Sequence, residues 1–542
     1  MPSSKTMWVV ITGGVISTLG KGVVSGSLGS LLQQRGYNVS AIKIDPYLNI
    51  DAGTMRPTEH GEVFVTYDGG ETDQDIGNYE RFLGKKISKE NNITSGQVYE
   101  EVLRKERNLD YKGKCVQVMH HIPEEIERRL RASAKKDKPD VMLIEIGGTV
   151  GDYENLPFLE TVRRMKLEGE DVAFIHTSYM PVPKTAGEMK SKPTQHSVKS
   201  LSSHGIQADY IVARSTQEVD EIRKKKISLF CNVAEDNVIS CPDVDSIYKV
   251  PLKLKEQKLD QKILEQFNLE VRPIKDDWEK LLKKPKEKVK IGIIGKYFKT
   301  GDFTLDDSYI SVIEAIKHAA IHEEVEAKID WLNADKYEKG NKEELEEYHG
   351  LIVPGGFGAS AIEGKVQAIK HAREKDIPFL GLCYGLQLAV VEHARNNMGL
   401  EAHTTEIDGK TPNPVVSLLP DQIEKIENND YGATMRLGEY KAKLKKGTLI
   451  RKLYSKEEVK ERHRHRYEVN PEYNDVLQGK GLVFSGMSPD KKLVEFLERE
   501  DNTYFVATQA HPEFTSSPLK PNPLFSGLIS AAVKRLNLEQ TK

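Results

Sequence analysis

The sequence predicts an α/β protein of two doubly wound domains, each a parallel sheet wrapped by helices, and three observations lead there. A chain of 542 residues is too long for one hydrophobic core, because domains usually stop growing near ~250–300 residues. Short β-branched runs alternate with longer amphipathic stretches, the pattern of βαβ units around a parallel sheet. Each half also opens on a strand that ends in a glycine turn.

In the first half the runs at residues 8–12, 39–44, 141–146, 172–177 and 210–213 predict buried strands. A charged helical tract follows Pro251, and Lys283-Lys284-Pro285-Lys286-Glu287-Lys288 is too poor in apolar residues to join a core, so it reads as linker. A second series of strands is expected at residues 289–294, 350–353, 379–381 and 504–508. The expected division is a first domain over 1–272, a linker over 273–288 and a second domain over 289–542.

Lys plus Arg number 79 against 82 Asp plus Glu, a net charge of −3. That balance gives no long-range field to hold nucleic acid or an anionic membrane, so small-molecule partners are expected. No apolar run approaches the ~18 residues of a membrane span, and residues 7–12 run straight into glycines as no signal peptide does. The four cysteines, at 115, 231, 241 and 383, make no C-x-x-C pair, which suits a reducing, cytoplasmic setting.

Gly381-Leu382-Cys383-Tyr384-Gly385 lies between an apolar strand and a helical pattern. Glycines on both sides of one nucleophile let a strand turn sharply into a helix, which exposes the side chain in a strained position above the helix N-terminus. A thiol there ionises more readily, although a buried structural cysteine in a βα turn would read the same. Gln509-Ala510-His511-Pro512-Glu513-Phe514 follows another strand, so His511 can take the thiol proton while Glu513 orients the imidazole. Pro354-Gly355-Gly356-Phe357-Gly358 follows residues 351–353, where glycines let backbone N–H groups approach a tetrahedral oxyanion. The basic run Arg462-His463-Arg464-His465-Arg466-Tyr467 imitates a nucleic-acid patch, but its surroundings are neutral.

Residues 13–22, Gly-Gly-Val-Ile-Ser-Thr-Leu-Gly-Lys-Gly, follow the first strand and precede a helix, the context of a phosphate-cradling loop with Lys21 reaching across the phosphates. Val15 stands where the strict motif has its first glycine, and Gly22 replaces the hydroxyl that binds Mg²⁺. Metal ligands must then come from elsewhere, and Asp75 and Glu145 are suitable hard oxygen donors. A carboxylate inside the strand of Glu145 is expensive to bury without a partner. Lys43, between apolar neighbours, either snorkels or completes a cationic clamp with Lys21.

The cysteine elbow, His-Pro-Glu and Pro-Gly-Gly-Phe-Gly, in that order, resemble the class I (triad) glutamine amidotransferases. That resemblance implies a flavodoxin-like second domain. It also implies glutamine contacts at Gly356, Tyr384, Gly385, Leu386, Gln387, Glu406 and Arg466, with Arg466 facing a carboxylate. Residues 13–22, Lys43-Ile44-Asp45-Pro46-Tyr47, His60-Gly61-Glu62-Val63-Phe64-Val65, residues 145–152 and Lys192-Pro193-Thr194-Gln195 resemble the CTP synthase family over nearly the whole chain. The resemblance implies a P-loop, dethiobiotin-synthetase-like first domain and a ligase that uses UTP, ATP and glutamine, with Mg²⁺, GTP as activator and CTP as inhibitor.

By the same likeness ATP meets Thr18, Leu19, Gly20, Lys21, Gly22, Val23, Lys43, Asp75, Pro242, Asp243 and Val244, and Mg²⁺ sits on Asp75 and Glu145. The pyrimidine nucleotide meets Ser17, Asp152, Tyr153, Glu154, Lys190, Ser191, Lys192, Pro193, Thr194, Gln195 and Lys226. His60 and Val63 line the ammonia passage, Phe357 and the turn at residues 435–438 lie where GTP is expected, and the assembly is a homotetramer. A cobyrinate-type amidase shares the loop-plus-triad plan, with residues 190–195 as the discriminator. A nucleotide-sensing assembly protein that no longer catalyses is disfavoured because every expected catalytic position is filled.

Overall fold

The computed structural model describes residues 5–541 apart from 186, 276–277, 296–298, 301–302, 305, 357–360 and 419–434. Phe357 and Gly358 therefore lie outside the described residues. The chain forms two compact units, one of Met1–Ala52 with Thr72–Leu282 and one of Gly53–Glu71 with Lys283–Lys542.

The first unit is built on a seven-stranded sheet: β1 (Met7–Gly14), β2 (Val39–Asp45), β3 (Asn92–Thr94), β4 (Val141–Ile146), β5 (Val172–Tyr179), β6 (Tyr210–Ser215) and β7 (Val238–Pro242), in the order β3-β2-β4-β1-β5-β6-β7. Every adjoining pair is parallel. All residues of β1, β2 and β4 are buried, which is why these strands read as continuous apolar runs: helices cover both faces. From β1 the chain builds one side of the sheet through β2–β4 and the other through β5–β7. Ligands of doubly wound sheets bind outside the strand carboxyl ends where this direction reverses, and residues 13–22 sit at that end of β1. Helix α1 (Lys21–Gln34) starts from Gly20 in the left-handed region with φ 83° and has no side-chain cap. Its first N–H groups are thereby left facing the loop.

The second unit carries a nine-stranded sheet of β8 (Glu287–Gly295), β9 (Val325–Asn333), β10 (Gly350–Val353), β11 (Phe379–Leu382), β12 (Arg436–Leu444), β13 (Glu458–His465), β14 (Leu482–Met487), β15 (Val494–Arg499) and β16 (Phe505–Thr508), in the order β9-β8-β10-β11-β16-β15-β14-β12-β13. The first five are parallel and the rest antiparallel. The antiparallel extension is absent from the sequence reading because β12, β13 and β15 carry charge and offer no unbroken apolar run, while β14 is uncharged but broken by Ser485-Gly486. Glu287 and Lys288 already pair with Val325 and Glu326, so the lysine-rich tract passes into a strand before its charge ends.

Gly53–Glu71 belongs to the second unit for specific reasons. The Glu62 carboxylate accepts the Ser311 N–H at 3.1 Å, Phe64 stands edge-on to Phe514 with centroids 5.0 Å apart, and Arg462 donates from Nη1 to the Val65 carbonyl at 2.9 Å. Among the described residues no helix is long and apolar enough to cross a membrane.

Candidate active sites

At the carboxyl end of β11 the chain turns through Cys383 with φ 51° and ψ −98°, then enters the helix Tyr384–Asn396. That conformation is costly for a residue with a Cβ and persists only where its surroundings over-determine it. The surroundings here are tight: a Cβ on Gly385 would lie 2.2 Å from the Val353 carbonyl oxygen, and one on Gly381 2.9 Å from the Ala507 Cβ. The Cys383 N–H donates to the Thr508 carbonyl at 2.7 Å, which pins the elbow to β16.

His511 follows β16 and is held by its own N–H donating to the Arg462 carbonyl at 2.7 Å. Its Nδ1 lies 2.7 Å from Glu513 Oε1. Burial alone would lower the imidazolium, but Cys383 and Glu513 together outweigh it and push it up to about 10. A protonated imidazole is thereby favoured between Cys383 and Glu513, placed to exchange a proton with the thiol. Phe514 stacks on the ring at 5.3 Å, and a Cβ on Gly355 would stand 2.6 Å from His511 Cε1, so only glycine brings that backbone against the imidazole.

A cavity of about 250 Å³ opens on this site, lined by Cys383, His511, Glu513, Phe514, Gly355 and Gly356 together with Pro57, Glu62, Val63, Ser308, Tyr309 and Arg464. Val63 thus lines the same cavity as the thiol, whereas His60 ends the short helix Pro57–His60 and is not among the lining residues. Tyr384 is buried, and burial first, then the Glu406 charge, raises its hydroxyl; burial first, then Glu406, also raises the Tyr467 hydroxyl, with Arg466 acting against them. The structure thereby gathers Tyr384, Glu406, Arg466 and Tyr467, which are distant in sequence. Gln387 is buried, with Nε2 donating to the Tyr467 carbonyl at 2.9 Å and Oε1 without a hydrogen-bond partner among the described residues.

The basic run at residues 462–467 turns largely inward. Arg464 meets Glu71 at 2.7 Å, and His463 and His465 are buried and held well below their usual range by burial and by Arg436. Residues 436–438 correct another expectation. They form a strand and not a turn, and Arg436 is clamped by Glu468 at 2.9 Å and Glu495 at 2.7 Å, a paired charge that favours a fixed position in the sheet.

In the first unit, Lys21 is buried and donates to the Gly148 carbonyl at 2.9 Å; burial lowers its ammonium. Asp75, near the start of helix α2 (Gln74–Leu83), is seated against the loop so closely that a Cβ on Gly22 would lie 2.0 Å from its Oδ1. The missing hydroxyl of the phosphate loop is thus replaced in space by this carboxylate. Glu145, on β4, is pushed up to about 8 by burial and then by the Asp75 charge. It accepts hydrogen bonds from Tyr79 at 2.5 Å and Ser25 at 3.3 Å.

Lys43 does not stand free beside Lys21. Its ammonium is bound by Asp75 at 2.6 Å and by Asp45 and Asp73 at 3.0 Å each. Burial would lower it, yet the three aspartates hold it well above its ordinary value, while burial pushes Asp45 up to about 6. Asp45, Asp73 and Tyr79 were missed as site residues. The alternation Asp73-Gln74-Asp75 was the available signal for one of them, but Tyr79 had none.

Residues 15–18 are exposed while Leu19 is buried and Val23 half-buried. Arg214 ties the end of β7 toward this loop: its Nη1 donates to the Pro242 carbonyl at 3.1 Å, Nη2 to Asp243 at 3.0 Å, and Nε lies 3.9 Å from a Gly20 Cβ position. Val244 follows, half-buried. Asp152, Tyr153 and Glu154 are exposed, and Asp152 accepts from the Thr149 N–H at 3.0 Å. The helix Lys192–Ser203 buries Thr194 and Gln195 and exposes Lys192. Lys190 and, at longer range, Arg223 and Lys226 hold the Glu188 carboxyl down, so these separated cations converge.

A thiol triad built for amide hydrolysis and a phosphate loop with hard-oxygen donors, carried on one chain, define a glutamine-dependent, nucleotide-using ligase. The family profile described as CTP synthase N-terminus matches residues 7–269, and that of glutamine amidotransferase class-I matches residues 304–531. A CTP synthase of Pyrococcus furiosus is 54% identical over 536 residues, covering 97% of this chain and 98% of the relative. One of Methanococcus maripaludis is 50% identical over 97% of this chain and 100% of its own length, and one of Bacillus subtilis 48% identical over 98% and 99%. The chain belongs to the CTP synthase family.

Proposed function

We propose that the protein converts UTP to CTP, with ATP phosphorylating the uracil O4 and glutamine supplying the ammonia that displaces this phosphate at C4. The observation that carries the reading is the presence, on one chain, of the Cys383–His511–Glu513 site and the cluster of Lys21, Lys43, Asp75 and Glu145, in a chain similar to CTP synthases from end to end.

At the thiol site the Cys383 thiolate attacks the glutamine carboxamide carbon. Backbone N–H groups beside Gly355 and Gly356 receive the oxyanion. His511 passes its proton to the departing nitrogen, so that the C–N bond breaks, ammonia leaves and a glutamyl thioester remains for water to hydrolyse. Gln387, through its Oε1, unpartnered among the described residues, and Tyr384, Gly385, Leu386, Glu406 and Arg466 hold the amino-acid end of glutamine. His60 and Val63 line the exit of ammonia.

At the loop site, residues 18–23 with Lys43 cradle the ATP phosphates, and Pro242, Asp243 and Val244 meet the adenine. Ser17, Asp152–Glu154, residues 190–195 and Lys226 hold the pyrimidine nucleotide. Lys21 offsets the charge that grows on the transferred phosphoryl group. Mg²⁺ fits the donor set: burial first and then the Asp75 charge raise the proton affinity of Glu145, so a divalent cation held by Asp75 and Glu145 would relieve both the buried charge and the repulsion. The ion, when bound, would neutralise phosphate oxygens. The family likeness further supports GTP activation, CTP inhibition, a homotetramer and a cytoplasmic setting.

The test follows the absorbance change of UTP amination, first with glutamine and then with an ammonium salt. Both nitrogen sources are expected to yield CTP with ATP and Mg²⁺; no CTP from either would sink the proposal.

A further inference from the structure

The triad leaves unexplained a second polar side chain at the thiol. Gln509 is fully buried two residues before His511, and its Nε2 lies 3.7 Å from Cys383 Sγ. An amide in this position helps a thiolate only if its NH₂ end, not its carbonyl, faces the sulfur, and the hydrogen bonds decide which end does. The Tyr467 backbone carbonyl can only accept, so the end of Gln387 that lies 2.9 Å from it must be NH₂. That same Nε2 lies 3.4 Å from Gln509 Oε1, which fixes the Gln509 carbonyl toward Gln387 and its NH₂ toward Cys383. The Gln509 backbone is anchored by its own N–H donating to the Glu495 carbonyl at 2.9 Å.

We propose that Gln509 is a positioning residue for glutamine hydrolysis: its carboxamide, oriented by a relay from the Tyr467 carbonyl through Gln387, donates an N–H to the Cys383 thiolate and holds the sulfur on the His511 side of the elbow. A donor to an anion strengthens as the charge develops and gives little to a neutral thiol. Gln509 therefore favours the nucleophilic form without touching the substrate, and it links glutamine binding at Gln387 to the state of the sulfur. The inference rests on the reading of Cys383 as the nucleophile.

The variant Gln509→Met keeps the length and buried volume but removes the donor. In the full chain, the pH profile of Cys383 alkylation by iodoacetamide is expected to move about one unit upward. Glutamine kcat/KM at neutral pH should fall about tenfold, the size of a lost charge-assisted hydrogen bond. Most of that loss should lie in kcat, and Gln509→Glu, which places a carboxylate against the sulfur, should lose more. An alkylation profile that superimposes on the parent's, in a variant with the parent's thermal midpoint, overturns the proposal. If Gln509→Met lowers that midpoint, Gln387→Met decides instead, read by alkylation alone, since it removes the relay donor to Gln509 while leaving Gln509 in place and the alkylation assay contains no glutamine. A smaller upward shift supports the proposal and an unmoved profile overturns it. Alkylation needs no UTP, so the outcome stands even if UTP amination were the wrong reading.

Discussion

At Cys383 the tension is carried by the backbone, in a residue forced to φ 51° between two glycines that no side chain could replace. In the first unit it is carried by charge: Lys21 is lowered, Glu145 raised to about 8 and Asp45 to about 6, within one buried cluster. The two solutions suit two chemistries. An amide is neutral, and its hydrolysis needs one reactive atom held still beside a proton donor. A polyphosphate brings charge with it, and its transfer needs opposite charges fixed in advance. Side-chain substitutions should therefore act selectively in the second unit and globally in the first.

The widest separation is expected from Cys383→Ala, which should cost glutamine-dependent CTP formation at least ~10³-fold and leave the ammonium-dependent rate near its parent value. Equal loss with both nitrogen sources would erase the distinction between the sites. Lys21→Ala should instead lower both rates together, by roughly 10²–10³-fold, as loss of one transition-state charge does. A parent-like rate with ammonium would remove Lys21 from phosphoryl transfer.

Gly22→Ser sharpens the comparison further. It restores the hydroxyl of the usual phosphate loop, but its Cβ would fall 2.0 Å from Asp75 Oδ1, so activity with either nitrogen source should drop about tenfold or more, with a raised Mg²⁺ requirement. Higher activity would mean that Asp75 does not occupy that space.

The smallest effect is on stability. The Glu145 carboxyl is raised above its unfolded value, so its contribution is fully present below about pH 4.5 and is lost as pH rises through about 8. A divalent ion should offset that loss. The rise in thermal midpoint on adding Mg²⁺ should be a few degrees larger at pH 8.5 than at pH 6, and Glu145→Gln should flatten the difference. A parent protein whose Mg²⁺ response is independent of pH would separate Glu145 from the ion.

Much of this was legible in the residues. The elbow could be read because glycine, cysteine and glycine between a strand and a helix have few other uses, and the lost hydroxyl at Gly22 announced that carboxylates must come from elsewhere. Asp45 and Asp73 were hidden, because one acid at a strand end and one before a helix look like ordinary caps; only the fold brings both to Lys43. Most of the antiparallel strands were hidden by their own charge, of which Arg436 on β12 is buried in pairs with Glu495 on β15 and with Glu468.

By itself the sequence determined the parallel sheet of the first unit and the parallel half of the second unit's sheet, the loop that follows β1 and the order Cys383, His511, Glu513, since these rest on local pattern and on glycine's freedom of conformation. Only the tertiary structure decided that Gly53–Glu71 belongs with the second unit, that Asp75 fills the space beside Gly22, and that Gln509 turns its amide to the sulfur. The physical reason is shared: each depends on which groups meet across long chain separations, where hydrogen-bond direction and van der Waals space select one arrangement that no short stretch of residues encodes.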